Sequence, residues 1–442
     1  MNLTEAVKAA GIIGAGGAGF PTHVKLQRPV EDIIVNGAEC EPLIFSDQVV
    51  METMARQVLA GLRLVIADFT ARGQSPKATI CVKKKYKASL AALRAEIREG
   101  DPIRILELEN VYPSGDEQFL VYEATGRVVP EGGIPPMVNA LVMNVGTLAQ
   151  VAAAADGAPV TERMVTIGGD VENPCVASVP VGTPFSAILQ AAKPAIEDYV
   201  LLVNGPMMGR LADDMNDVTT KTMSGLFALP RRHSHVSRMR RPLSTEIKIS
   251  KASCEVCRYC TDFCPRYLLG HGLEPHKIMR VINYDRDLDT KTITSAWLCC
   301  ECGVCDLWAC PMALSPRIIF RQFKRRLAQA GIKNPHDRAN TAPDHYRKYR
   351  GVPTNRLTQR LGLTAYDKRP GRLAEKIEPQ LVRIRLDQHI GAPARPVVAV
   401  GEKVEAGQLI GDIPEGKMGA RYHASIGGKV ARVTDKFITI ER

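Results

Sequence analysis

Nine of the twelve cysteines in this 442-residue chain fall between positions 254 and 310, and their spacing restricts what that stretch can fold around. The run Cys254, Cys257, Cys260, Cys264-Pro265 reads C-x2-C-x2-C-x3-C-P, the ferredoxin pattern for cubane iron–sulfur clusters. Three thiolates two residues apart can wrap one face of a cluster in a tight turn. The fourth, followed by a helix-breaking proline, is free to reach a second cluster. A second run follows with Cys299, Cys300, Cys302, Cys305 and Cys310-Pro311. Two 4Fe-4S clusters with crossed ligation are therefore expected, one on Cys254, Cys257, Cys260 and Cys310, the other on Cys299, Cys302, Cys305 and Cys264. Cys305 and Cys310 enclose four residues instead of three, and the extra residue is expected to loop out. Cys300 is surplus, because Cys299 has the two-residue gap to Cys302 that the first run also uses. A pair of zinc sites competes as a reading of C-x2-C pairs, but zinc calls for neither a third cysteine in step nor a Cys-Pro ending. Nothing at the N-terminus reads as a signal peptide, so a reducing, cytoplasmic setting without disulfides is expected.

The length suggests about three domains. No apolar run is long enough to span a bilayer, so membrane insertion is not expected. The formal net charge of +11 raises the question of nucleic acid. The basic residues are scattered or gathered in short clusters such as residues 231–241 and 321–326, with no aromatic platform or helix-turn-helix beside them. A solvated face, or attraction to an anionic dinucleotide, is the simpler reading.

Near the N-terminus, Gly11, Gly14, Gly16, Gly17 and Gly19 crowd nine positions ahead of Lys25. Each costs backbone entropy, which is tolerable where bare N–H groups must approach a phosphate or a flat ring. An apolar strand at residues 33–35 then runs into Asn36-Gly-Ala-Glu39-Cys40-Glu41-Pro42. A helix is expected from Ser46 or Asp47 through Val65, strands at residues 78–82 and 103–108, and a helix between them at 88–99. That alternation predicts a mostly parallel sheet with covering helices and a ligand site at the strand ends. The turns Tyr112-Pro-Ser-Gly115-Asp116-Glu117 and Asn144-Val-Gly146-Thr147 belong to the same site, although each could also be a plain helix cap. Cys40 and Cys81 are expected to be packed small residues.

The strings GAGGAGFPTHVK, VNGAECEP, YPSGDE and MNVGT, in that order, resemble the flavin domain of the respiratory complex I flavoprotein subunit and of the Rnf complex C subunit. With the cysteine runs and the tail, the whole chain is similar to the cobalamin reductases of propanediol-utilising microcompartments. The resemblance implies FMN held by Gly14, Gly16, Gly17, Gly19, Lys25, Asn36, Gly115, Asp116, Glu117, Asn144 and Thr147, with Glu39 and Glu41 near flavin and nicotinamide. Ala15 and Ala38 depart from the complex I pattern, which has an arginine and an acid there. The implied fold is multidomain α/β. It comprises a Rossmann-like FMN/NADH domain at 1–160, a soluble-ligand-binding β-grasp (SLBB) domain at 161–230, a linker at 231–249 and a two-cluster ferredoxin-like helical domain at 250–330. A barrel-sandwich hybrid follows at 380–442.

The pattern of 161–204, strand-turn-strand, helix, strand, fits the β-grasp expectation. Gly205-Pro-Met-Met-Gly209 reads as a turn and Cys175 as an unpaired hairpin residue. His233 and His235 read as solvated, residues 274–281 and 316–330 as helices with Ile318, Ile319, Phe323 and Leu327 on one face, and the stretch to about 375 as weakly patterned. Tail strands are expected at 382–386, 397–400, 408–413, 420–423, 428–433 and 437–440. Lys417 stands where a lipoyl lysine would, but Gly416 replaces the usual Asp, so the module reads as a docking surface. His23, His271 and His276 read as structural, and no general acid or base is expected. NADH delivers a hydride pair while a metal takes single electrons, so the implied reaction is NADH-dependent reduction of cob(III)alamin or cob(II)alamin toward cob(I)alamin. Implied partners are NADH, cobalamin, a cobalamin adenosyltransferase and a microcompartment shell protein. The rival readings are electron transfer to a shell or membrane redox partner, and a scaffold that has lost its redox function.

Overall fold

A computed structural model describes residues 2–284, 290–339, 341–372 and 376–442. The first unit contains β1 (Asp32–Gly37), β2 (Lys77–Lys83), β3 (Ile103–Leu108), β4 (Val111–Tyr112) and β5 (Ala140–Asn144). Four of them form an all-parallel sheet in the order β3-β2-β1-β5. Its apolar strands bury both faces: Ile33 and Val35 pack into one cluster, and Ile34 packs into another with Leu120 and Val121 of the helix Glu117–Thr125. Asn36 and Asn144 end up side by side at the carboxyl ends of β1 and β5, where an open α/β sheet offers its crevice.

The single helix expected after Ser46 is two, Ser46–Thr53 and Ala55–Ala71, separated at Met54 with φ −129°. The break turns the second helix onto Val145–Ala155, where Gly61 packs so closely that a Cβ would lie 2.0 Å from the Leu148 carbonyl oxygen.

The second unit holds β6 (Glu162–Gly169), β7 (Cys175–Pro180), β8 (Tyr199–Val203), β9 (Arg210–Ala212) and β10 (Gly225–Pro230). β6 and β7 form the expected hairpin, and the helix Phe185–Ala192 precedes β8. β10 lies parallel to β6 and antiparallel to β8. The stretch that looks weakly patterned supplies β11 (Val352–Pro353), which pairs with β4, and β12 (Gly371–Arg372), which extends this sheet beside β7. Its Leu357, Leu361 and Leu363 join a core with Tyr112, Met207, Phe227 and Val304. These contacts are long-range, so local periodicity does not announce them.

The charged segment expected to be a linker is also folded, as the helices Ser234–Met239 and Leu243–Ser253. His233 caps the first helix, its ring nitrogen accepting the His235 N–H at 3.1 Å. His235 is buried instead of solvated, and burial pulls its pKa down to about 4. The cysteine-rich part is helical, with Pro275–Tyr284 and Pro316–Gln329 as its longest pieces among the described residues. In the latter Ile319, Phe320 and Leu327 are buried, so Phe320 takes the place expected for Ile318. The extra residue between Cys305 and Cys310 is not looped out but absorbed in a π-helical turn, Val304–Trp308.

The tail forms β13 (Leu381–Arg385), β14 (Arg395–Pro396), β15 (Lys403–Val404), β16 (Leu409–Asp412), β17 (Tyr422–His423), β18 (Gly428–Val433) and β19 (Phe437–Glu441). They build two small sheets, β13-β19-β18-β15 and β14-β16-β17. Residues 397–400 are not a strand, and Val397 and Val400 are exposed. The tail seats on the other units: Arg383 N–H donates to the Gly182 carbonyl at 2.8 Å and Ser425 Oγ to the Val181 carbonyl at 2.6 Å. Among the described residues no helix is long and apolar enough to cross a membrane.

Because the Gly61 site has backbone on its far side, Gly61→Ala must push two helices apart and is expected to cost about 1–3 kcal/mol. Thermal unfolding of the variant should show a lowered midpoint, and an unchanged midpoint would contradict the helix contact.

Candidate functional site: a cavity beside the cysteine runs

A cavity of about 460 Å³ opens at the carboxyl ends of β1 and β5. Twelve of the thirteen residues expected to hold a cofactor line it: Gly14, Gly16, Gly17, Lys25, Asn36, Glu39, Glu41, Gly115, Asp116, Glu117, Asn144 and Thr147. Gly19 does not. At φ +65° it turns against the tail, its carbonyl accepting the Ile390 N–H at 3.0 Å, and a Cβ there would meet the Gln388 carbonyl at 3.0 Å. Gly17, at φ +103°, faces open space on the side where a Cβ would stand. The donor set suits a phosphate-bearing ring compound. It offers bare glycine backbone, the Lys25 ammonium, side-chain amides, and a volume within the range of small-molecule sites.

The polar side chains are held by the ends of the elements they sit on. Asn36 Nδ2 donates to the Gly115 carbonyl at 3.0 Å, and Asn144 Nδ2 to Asp47 at 2.7 Å. Asp116 caps the helix Glu117–Thr125 by accepting the N–H groups of Gln118 and Phe119. Lys25 Nζ reaches Glu117 at 3.1 Å and the Val142 carbonyl at 3.2 Å. Glu39 accepts from the backbone of Asp47 and Gln48, satisfying the first turn of Ser46–Thr53. Glu41 accepts the N–H groups of Met207 and Met208. Burial raises both acids: Glu39, with Asp47 close by, to about 8, and Glu41 to about 7. Burial also raises Asp47. Glu39 is thus mostly protonated and Glu41 about half protonated at neutral pH, which limits the negative charge that the cavity presents to an anionic guest.

Several lining residues carry no local signature. Asn204, Met208, Gly209, Thr222 and Ser224 close the cavity from the second unit. The 205–209 segment, for which a turn is favoured over a binding surface in the sequence, is therefore also a wall. Arg163 on β6 reaches the Ala15 carbonyl at 3.0 Å, beside the position where the complex I pattern has its own arginine. Cys40 lines the cavity as well, and burial pushes its thiol up to about 11. Cys81 and Cys175 are buried. His23 and His271 are buried too, with pKa values lowered by burial, and His276 pairs with Thr261 at 2.8 Å. Lys417 is exposed on a turn of the tail.

The thiols stand around spaces instead of closing on a point. Cys254, Cys257, Cys260 and Cys310 surround a cavity of about 30 Å³, and Cys264, Cys299, Cys300, Cys302 and Cys305 one of about 10 Å³. Each of the two groups, one of four thiols and one of five, joins residues of both runs, the arrangement crossed ligation requires. Cys300 and Cys302 line the large cavity as well as the smaller one. The sequence offers Cys300 only as a surplus thiol, whereas the fold puts it on the partition between the two.

Raising the pH ionises Glu41 near 7 and then Glu39 near 8, adding negative charge to the cavity. FMN binding, followed by quenching of flavin fluorescence, is expected to weaken by about tenfold per 1.4 kcal/mol of added repulsion as these groups ionise. Glu41→Gln should remove the part of that fall centred near 7, and a flat profile in the unaltered protein would contradict the protonated state.

Comparison with known proteins matches three successive parts of the chain. Residues 7–153 match the Nuo51 FMN-binding domain family, 253–315 the 4Fe-4S dicluster domain family, and 370–441 the RnfC barrel sandwich hybrid domain family. Cobalamin reductase PduS of Salmonella typhimurium is 39% identical over 100% of this chain and 96% of its own length. The Citrobacter freundii protein of the same name is 39% identical over 100% of this chain and 97% of its own. The C component of the Na(+)-translocating ferredoxin:NAD(+) oxidoreductase complex of Acetobacterium woodii is 32% identical over 60% of this chain and 58% of its own. With an FMN-binding domain, a 4Fe-4S dicluster domain and a barrel-sandwich tail joined in one chain of matching length, the protein belongs to the PduS cobalamin reductase family.

Proposed function

We propose that the chain is an FMN- and iron–sulfur-dependent reductase that passes electrons from NADH to cobalamin inside a bacterial microcompartment. The observation that carries this reading is the shared wall: Cys300 and Cys302 face both the large cavity and the neighbouring thiol-lined space. On this reading the residues around the large cavity hold FMN, with Gly19 bracing their loop from behind. Cys254, Cys257, Cys260 and Cys310 hold one 4Fe-4S cluster, and Cys264, Cys299, Cys302 and Cys305 the other. FMN, when bound, supplies the conversion of a hydride pair into single electrons, and the clusters supply the one-electron carriers.

The chain's own residues bind, orient and exclude water. Met208, Gly209, Thr222 and Ser224 cover the cavity, and the raised pKa values of Glu39 and Glu41 reduce the negative charge that an anionic dinucleotide meets there. Cys257 is exposed and lies in the quartet away from the large cavity, so that quartet is the exit. We assign the first unit a Rossmann-like and the second an SLBB β-grasp character, consistent with the β7-β6-β10-β8 order and the parallel β6–β10 pair. A cobalamin adenosyltransferase would take the reduced product, and a shell protein would meet the tail.

The exposed exit also suits a second reading, delivery to a protein acceptor. Both are tested with anaerobically purified protein carrying flavin and iron, given NADH and cob(II)alamin. The cobalamin reading predicts cob(I)alamin formation that Cys305→Ala abolishes while NADH still bleaches the flavin. NADH bleaching without any cob(I)alamin would overturn it and leave the protein acceptor.

A further inference from the structure

The loop Tyr112–Glu117, which forms one side of the large cavity, is fastened at both ends to the two cysteine runs. At its start Tyr112 is buried and its hydroxyl donates to the Cys302 carbonyl at 2.6 Å, in the second run. At its end Asp116 receives a two-pronged contact from Arg266, Nη1 to Oδ1 at 2.7 Å and Nη2 to Oδ2 at 2.9 Å. Arg266 stands two residues beyond Cys264, in the short helix Pro265–Leu268 that ends the first run, and it is 8% exposed. Asp116 Oδ1 also caps the helix Glu117–Thr125, and Asp116 itself lines the cavity.

We infer that Arg266 is a positioning residue for electron transfer. Its fork holds the Asp116 loop at a fixed distance from the Cys264 segment, and its charge lies against the cavity-lining Asp116 in the helix that begins directly after Cys264. The inference rests on the electron route proposed above. Three features support it over a merely structural ion pair. The contact is bidentate, so it fixes orientation as well as separation, which a lysine cannot reproduce. It is enclosed, so the charge is weakly screened and acts on its surroundings. It joins two segments 150 residues apart in sequence, one carrying a cavity wall and the other a cluster thiol. A permanent cation at that place favours the more negative, reduced state of the nearer cluster, because reduction adds an electron beside it. Truncating Arg266 removes that cation and leaves the Asp116 carboxylate facing the same region.

The test compares the unaltered full-length protein with Arg266→Gln and Arg266→Lys, all anaerobic and loaded with flavin and iron. Cluster midpoint potentials are read by dithionite-poised redox titration with electron paramagnetic resonance. Flavin bleaching and cluster reduction after NADH mixing are read by stopped-flow absorbance. In Arg266→Gln, one of the two cluster potentials should fall while the other stays, and cluster reduction should lag flavin bleaching by about 10-fold to 100-fold more than in the unaltered protein. Arg266→Lys should bring the potential back toward its original value and leave the lag, because charge returns without the fork. Potentials and lag unchanged in Arg266→Gln would overturn the inference, and so would an equal shift of both clusters. If Arg266→Gln does not fold, an Arg266→Lys protein with no added lag overturns it. Should NADH reduce no cluster in the unaltered protein, the electron route fails, while the dithionite titration still judges Arg266.

Discussion

Cys300 and Cys302 face two spaces at once, and most of the molecule is arranged so that they can. Electron transfer slows steeply with distance, so a ring-binding cavity and a thiol-lined cage serve one another best when little separates them, and here Cys300 and Cys302 line both. The parallel sheet supplies the cavity at the ends of β1 and β5, where Asn36 and Asn144 stand side by side. The cysteine runs come from residues more than a hundred positions away, and something must hold them against that cavity. Tyr112 and Arg266 do so from opposite ends of one loop. Arg317 adds a third tie, pairing with Asp306 at 2.9 Å and donating to the Met207 carbonyl, so that the second unit and the π-helical turn are joined as well.

The tail stabilises the same region from behind. Lys221 is fully enclosed and has carbonyl oxygens as its partners, Gly11 at 2.7 Å and Arg421 at 2.8 Å, with the Tyr422 ring 4.6 Å away. Each of those groups belongs to a different part of the chain: Gly11 to the glycine-rich approach, Lys221 to the loop before β10, Arg421 and Tyr422 to the tail. Burial lowers its pKa to about 7, so the junction carries a lysine that is only partly charged at neutral pH. Gln388 accepts the Lys221 backbone N–H at 2.6 Å, and Ile390 bonds to Gly19. The tail is thus continuous with the glycine-rich loop, and Thr222, next to Lys221, lines the cavity.

Much of the site was legible in sequence where function is written in short strings. The glycine loop, the Asn36–Glu41 turn, the 115–117 turn and Asn144–Thr147 each sit at the end of a strand or the start of a helix, so local pattern and site coincide. The two cysteine runs were likewise readable, because their internal spacing is local, while the fold alone gathers Cys254, Cys257, Cys260 and Cys310 around one space and Cys264, Cys299, Cys300, Cys302 and Cys305 around another. What local pattern could not supply is whatever depends on packing between distant segments. Met208, Thr222 and Ser224 are ordinary residues until β8 and β10 bring them over the cavity. Gly19 matches the loop motif yet serves a contact with the tail, a role visible only once the tail is in place. His233 and His235 look solvated among arginines, but Val236 anchors their helix in the core with Leu357 and Leu361. Val397 and Val400 suggest a strand by composition and remain exposed; Val397 still donates its N–H to the Ile410 carbonyl of β16 at 2.9 Å, but the chain then bends away before Val400.

The central claim is that reducing equivalents entering at the large cavity leave it through the adjacent thiol cages. Anaerobic titration of the flavin- and iron-loaded protein with NADH tests this most directly. Flavin takes two electrons and each cluster one, so uptake should continue past the first equivalent toward about two NADH per chain, with loss of the iron–sulfur absorbance. Uptake that stops at one NADH, with the flavin bleached and the iron–sulfur absorbance unchanged, would contradict it.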